Sequence, residues 1–103
     1  MKFSTAPAFD GDWRRLSAGE QALFRTALHD HFIPACDARA QDPIRPWPRG
    51  LRVKSLKGAA GIMEMTWSFS GPDGRATFEW RTIDGQPMIR WRRVGGHDIF
   101  DKP

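Results

Sequence analysis

The apolar residues of this chain change their repeat once, near residue 50, and that change limits the fold more than any other feature. Upstream they recur at helical spacing. Phe9, Trp13 and Leu16 fall at i, i+4 and i+7, one face of a short helix. Ser17 and Glu20 form an S-x-x-E capping box that opens a second helix, and Leu23, Phe24, Ala27, Leu28 and Phe32 give it a core-facing stripe. Pro34 stops that helix or kinks it. Downstream the period is two. Leu51 and Val53 alternate with Arg52 and Lys54, and Met63, Met65, Trp67 and Phe69 alternate with Glu64, Thr66 and Ser68. Ala76, Phe78 and Trp80 alternate with Arg75, Thr77, Glu79 and Arg81, and Ile89 and Trp91 with Arg90 and Arg92. Turns fall at Ser70-Gly71-Pro72-Asp73-Gly74 and at Asp84-Gly85.

Helices first and strands after predict an α+β two-layer fold. A short, mildly apolar segment at residues 1–5 is consistent with an edge strand, and two helices then pack on a curved antiparallel sheet of about four strands. One sheet face is apolar and meets the helices; the other is polar. Between the two halves, residues 37–50 carry Pro43, Pro46, Pro48 and Gly50 and read as a surface connection, from which Trp47 packs back over the core. At 103 residues the chain is expected to be one domain, residues 1–103, with a thin core. Any active site then sits on the surface or in a shallow groove.

Several classes are set aside by what the chain lacks. There is one cysteine, Cys36, so no intrachain disulfide forms, and Cys36 reads as a small buried residue. No run of 18 apolar residues exists, and the first residues do not lead into a signal-peptide core, so a cytoplasmic protein without a membrane partner is expected. His29 and His31 are two apart on a helix and diverge, which makes a poor metal pair. No Gly-rich phosphate loop, nucleophile elbow or Cys-x-x-Cys pair is present, and neither a cofactor nor a metal site is expected.

The net charge of +4 is unevenly spread. Residues 1–43 are net −1, residues 44–93 net +6, and residues 94–103 net −1. The excess therefore lies in the sheet half, mostly at positions that alternate with the core residues. Twelve of the 16 basic residues are arginine, the better residue for bidentate phosphate contacts. A strongly cationic sheet face is an electrostatic footprint for a polyanion, nucleic acid first.

The order of local patterns then matters. The first sheet segment reads Leu51-Arg52-Val53-Lys54-Ser55-Leu56-Lys57-Gly58, and the next opens Gly61-Ile62-Met63-Glu64-Met65. A third begins Asp73-Gly74-Arg75-Ala76-Thr77-Phe78, and the chain closes on Trp91-Arg92-Arg93-Val94-Gly95-Gly96-His97-Asp98-Ile99-Phe100. In layout and in these segments it resembles the RelE/ParE superfamily of bacterial type II toxins, with their L-x-G, g-l-x-E and g-R-x-x-f/y progression. The resemblance implies a RelE-like fold and a cognate antitoxin as partner. It also implies one of two activities. RelE, YoeB and HigB-like members cleave mRNA on the ribosome without metal, and ParE members poison DNA gyrase. A non-catalytic nucleic-acid-binding module of the same fold is the third reading.

Metal-free RNA cleavage needs a base for the 2′-hydroxyl proton, an acid for the departing 5′ oxygen, and cations around the phosphorane. By the resemblance, Arg75 is the Arg of the g-R-x-x-f strand and supplies transition-state charge; the alternative is a surface arginine paired with Glu64 or Glu79. His97 matches a C-terminal histidine that does acid or base work, its ordinary pKa of ~6.5 suiting that task. Unbroken strand parity points it inward, so a bulge at Gly95-Gly96 is needed to re-aim it; otherwise it is a structural histidine paired with Asp98 or a carbonyl. Glu64 lies on the polar face as a base, an orienting group for Arg75, or an ion-pair partner. Arg93, at the strand end, is in reach of the scissile phosphate. Arg52, Lys54, Lys57, Arg81, Arg90 and Arg92 are the candidates for gripping the RNA backbone. The chain has no tyrosine. Phe100 stands roughly where several family nucleases carry one, and it can stack a base but cannot move a proton.

Overall fold

The structure, a computed structural model, describes residues 2–68 and 73–103. Phe69 and the Ser70-Gly71-Pro72 part of the expected turn lie outside the described residues. The elements run β1 (Lys2–Thr5), α1 (Pro7–Arg15), α2 (Ala18–Ala27), a π-helical turn (Leu28–Phe32), α3 (Ile33–Gln41), a 3-10 turn (Arg49–Leu51), β2 (Lys54–Ser55), β3 (Ile62–Ser68), β4 (Gly74–Ile83), β5 (Gln86–Gly95) and a closing 3-10 turn (His97–Asp101). The α+β class is the expected one. The sheet has five strands in the order β1-β5-β4-β3-β2, one more than the about four expected, because the N-terminal strand joins it. β1 pairs with β5 in parallel, Phe3 opposite Ile89; the other pairs are antiparallel.

The capping box forms as read. Ser17 Oγ accepts from the Glu20 amide and Glu20 Oε1 accepts from the Ser17 amide, an arrangement that typically stabilises a helix by ~1 kcal/mol. Pro34 does not end the helix. It has no N–H, and its ring crowds the carbonyl four residues back. The wider turn over Leu28–Phe32, closed by the Ile33 amide donating to Leu28 O, makes room, and Pro34 then sits in the first turn of α3. The helical run therefore reaches Gln41, and the expected loop over 37–50 begins only at Asp42. Trp47 packs back as expected, stacked on Phe32 at 5.5 Å, with the Arg39 guanidinium 4.6 Å from its ring centroid on this short return.

The helices and the sheet meet through aromatic rings. Phe9, Phe24, Phe32, Phe78 and Trp91 are all buried, and Phe24 and Phe32 each lie within 5.5 Å of Trp91. Edge-on and tilted contacts of this kind add ~0.5–1.5 kcal/mol per pair beyond burial. Three expectations shift. Leu23 is 48% exposed, since it lies one residue round the helix from the Phe24 face. Trp80 is 41% exposed, lining an open groove with Cys36, Arg39 and Ala40 of α3. The expected strand from Leu51 shrinks to Lys54–Ser55, as Arg49–Leu51 coil into a 3-10 turn and Arg52 takes a left-handed conformation (φ 47°). No helix among the described residues is long and apolar enough to cross a membrane.

Candidate functional site

Strand alternation separates most polar side chains of β3, β4 and β5 from the aromatic core, although Thr66, Ser68 and Thr77 are themselves buried, and the pairing register decides which of them meet. One rung aligns Lys54, Glu64, Thr77 and Arg93 across β2, β3, β4 and β5. The next, toward the start of β4, aligns Thr66, Arg75 and Gly95. The register slips between Thr77 and Phe78, which pair with Arg93 and Trp91 and leave Arg92 as the extra residue of a bulge. This bulge corrects the parity argument for His97. It comes at Arg92, not at Gly95-Gly96, and His97 begins the closing 3-10 turn with an exposed side chain. The glycines serve that turn instead: a Cβ on Gly95 would stand 3.1 Å from the Ile99 side chain packed against it.

Arg75 has only 12% of its side chain exposed and pairs with Asp73 at 3.3 Å, not with Glu64 or Glu79. Its carbonyl accepts from Trp67 Nε1 at 2.8 Å, which fixes the strand beneath it. Glu64, on the adjacent rung, faces Lys54 Nζ at 3.7 Å. His97 lies two residues beyond Gly95, the cross-strand neighbour of Arg75, and meets Phe100 edge-on at 5.1 Å. Glu64 and Arg75 thus lie on adjacent rungs, and His97 follows the end of β5, whose Gly95 lies opposite Arg75.

Arg93 does not match its expected part. Its Nε donates to Asp12 Oδ2 at 2.6 Å and its Nη2 to Asp12 Oδ1 at 3.0 Å, while Nη1 donates to the Lys102 carbonyl at 2.9 Å. The Val94 amide also donates to Asp12 Oδ2. Burial pushes the Asp12 carboxyl up, but the bonds from Arg93 and Val94 and the charge of Arg93 outweigh it and hold the group below its ordinary range. Arg93 is accordingly a tether between β5 and α1 rather than a free phosphate ligand. Asp12 escaped the sequence reading, although it falls three residues after Phe9 beside the apolar stripe.

Three of the backbone-grip candidates converge. Arg81 Nε and Nη2 donate to Glu79 Oε1 at 2.9 and 2.7 Å, Arg92 Nη1 donates to Oε2 at 3.2 Å, and Arg90 Nη1 lies 3.9 Å from Oε1. Burial again raises and the arginines lower the Glu79 carboxyl, with a net fall. Arg52 and Lys57 are exposed along the segment leading to β3, at the far edge of the sheet from Arg90 and Arg92. Phe100 is half-buried beside His97. Cys36 is buried in the core, and burial, with the nearby Asp37 charge, pushes its thiol up to about 12. Among the described residues no three His, Cys, Asp or Glu side chains gather as a metal-ligand group.

No family model and no curated protein matches the chain. Solved structures do. The YoeB/ParE toxin from Agrobacterium tumefaciens superposes with a TM-score of 0.60 at 11% identity, covering 94% of this chain and 99% of that one. A mutant of the E. coli toxin RelE in the free state gives a TM-score of 0.56 at 12% identity, covering 98% and 90%. The intact E. coli RelBE toxin–antitoxin complex gives 0.53 at 14% identity, covering 92% and 94%. Identities this low carry the fold alone, and on that ground the chain has the fold of the RelE and YoeB/ParE toxins.

Proposed function

We propose that this protein is the toxin of a bacterial type II toxin–antitoxin system, acting in the cytoplasm as a ribosome-dependent, metal-independent mRNA endonuclease, with a cognate antitoxin as its partner. The observation that supports this best is the register that sets Glu64 and Arg75 on adjacent rungs of the charged sheet face, with His97 just past the end of β5, on a toxin fold. In the reaction the 2′ oxygen attacks the adjacent phosphorus and the bond to the 5′ oxygen breaks, leaving a 2′,3′-cyclic phosphate. Glu64 and His97 are the groups for the two proton transfers, one taking the 2′-hydroxyl proton and the other giving a proton to the departing 5′ oxygen. Arg75 stabilises the phosphorane charge. Lys54, Lys57, Arg52 and the Glu79-centred arginines hold the flanking backbone, and Phe100 offers a ring for stacking.

The absence of tyrosine favours a second reading, a ParE-like gyrase inhibitor or a non-catalytic nucleic-acid-binding module, since Phe100 cannot move a proton. Expression of the chain in a bacterium beside its Arg75→Ala/His97→Ala variant separates these. Growth arrest with new mRNA 5′ ends, lost in the variant, is expected. Arrest with double-strand DNA breaks and intact mRNA points to gyrase, and RNA binding without arrest leaves the binding module.

A further inference from the structure

Glu79 stands where simple electrostatics disfavours it: a carboxylate in the middle of a face that is to bind a polyanion. It occupies the centre of β4, on the rung that aligns Ile62, Glu79 and Arg90, with Arg81 two residues along the same strand and Arg92 on the neighbouring one. Its side chain is 15% exposed, whereas those of Arg81, Arg90 and Arg92 are 50, 34 and 33% exposed. The carboxylate is thus the floor and the guanidiniums are the rim. Arg81 grips Oε1 with Nε and Nη2, and Arg92 takes Oε2 with Nη1 alone. These contacts leave Arg81 Nη1, Arg92 Nη2 and most of the Arg90 fork unused by Glu79, and the cluster keeps a charge of +2 from three arginines and one glutamate.

We propose that Glu79 is the positioning residue of a phosphate-binding cluster formed by Arg81, Arg90 and Arg92, holding three guanidiniums together for the phosphodiester backbone of single-stranded RNA. This role rests on the nucleic-acid reading of the face. Arg92 Nε also donates to the Pro103 carbonyl at 3.2 Å, so without the carboxylate Arg92 keeps one anchor while Arg81 and Arg90 are released, the three like charges repel, and the freed side chains must be ordered again at binding. A fork already held on one side by a carboxylate presents its remaining N–H groups in a fixed plane, the geometry that phosphate oxygens accept.

The two effects of removing Glu79 have opposite signs, which makes the role testable. As bulk charge alone, Glu79→Gln adds a net positive charge and tightens RNA binding, steepening its salt dependence by up to ~0.7 per added contact. As loss of positioning, it weakens binding. The probe is a fluorescently labelled, 2′-O-methylated 12-nucleotide RNA, which resists cleavage, followed by anisotropy over a potassium chloride series. Expected are about threefold weaker binding for Glu79→Gln, which keeps one acceptor, and about tenfold weaker for Glu79→Ala, with no steeper salt slope and with melting temperatures near wild type. Asp84→Asn, the same charge change at the β4–β5 turn, should bind as wild type or slightly tighter. Equal or tighter binding by both Glu79 variants overturns the positioning role and leaves the nucleic-acid reading standing. Failure of the wild-type protein to bind the RNA overturns that reading and this role together.

Discussion

Replacing Asp12 by Ala should be the most damaging single polar change in the fold. The Asp12 side chain is 5% exposed and that of Arg93 20% exposed. The substitution removes both acceptors of the Arg93 fork at 2.6 and 3.0 Å and the acceptor of the buried Val94 amide at 3.2 Å. Hydrogen bonds to charged groups contribute ~1.5–3 kcal/mol, and breaking a buried pair costs ~3–5 kcal/mol. Arg93 keeps its bond to the Lys102 carbonyl and some contact with solvent, so the lower end applies, about 3 kcal/mol. Arg15 also touches Asp12 at 2.6 Å, but its side chain is 72% exposed and adds little. For a chain of this size the loss is a melting temperature lower by about 12–15 °C. The Asp12 carboxyl titrates lower in the folded chain than its ordinary value of 3.8. The stabilisation is therefore full above about pH 4 and is lost as pH falls through the lower folded value. The assay is urea unfolding followed by tryptophan fluorescence for wild type, Asp12→Ala, Arg93→Met and the double variant, at pH 7 and in acid. The double variant should cost well under the sum of the singles. A deficit for Asp12→Ala below ~0.5 kcal/mol at pH 7, or one that does not shrink in acid, refutes the tether.

Two further changes probe the scaffold under the site. A Cβ on Gly74 would come within 2.4 Å of the Trp67 ring, so Gly74→Ala should destabilise by roughly 1–3 kcal/mol and alter the near-UV circular dichroism of Trp67, seen by comparing thermal melts and spectra with wild type. Cys36, buried with its thiol raised to about 12, should resist iodoacetamide at pH 8 in the folded chain and react fully in 6 M guanidinium, checked by mass spectrometry.

The helix stripes and the strand alternation were legible because burial acts on local periodicity: Phe9, Phe24, Phe78 and Trp91 are core residues wherever the elements pack. The π turn before Pro34 was not legible, since a proline states only that a bond is missing, and the neighbouring turns choose how to absorb the loss. The polar face was legible as a set of alternating cations, and the register sets Glu64 and Arg75 on adjacent rungs of it. Their partners were not. Asp12 is 81 residues from Arg93 in the chain, and Glu79 meets Arg92 from 13 residues away across a bulge that alternation alone does not contain.

The sequence by itself determined the α+β order, the core stripes and the side of the sheet that carries the charge, because each follows from spacing along one element. Only the tertiary structure decided which cations are tethers and which remain available to a ligand. That depends on register: a single extra residue at Arg92 turns Arg93 toward Asp12 on α1 and leaves Arg81, Arg90 and Arg92 around Glu79.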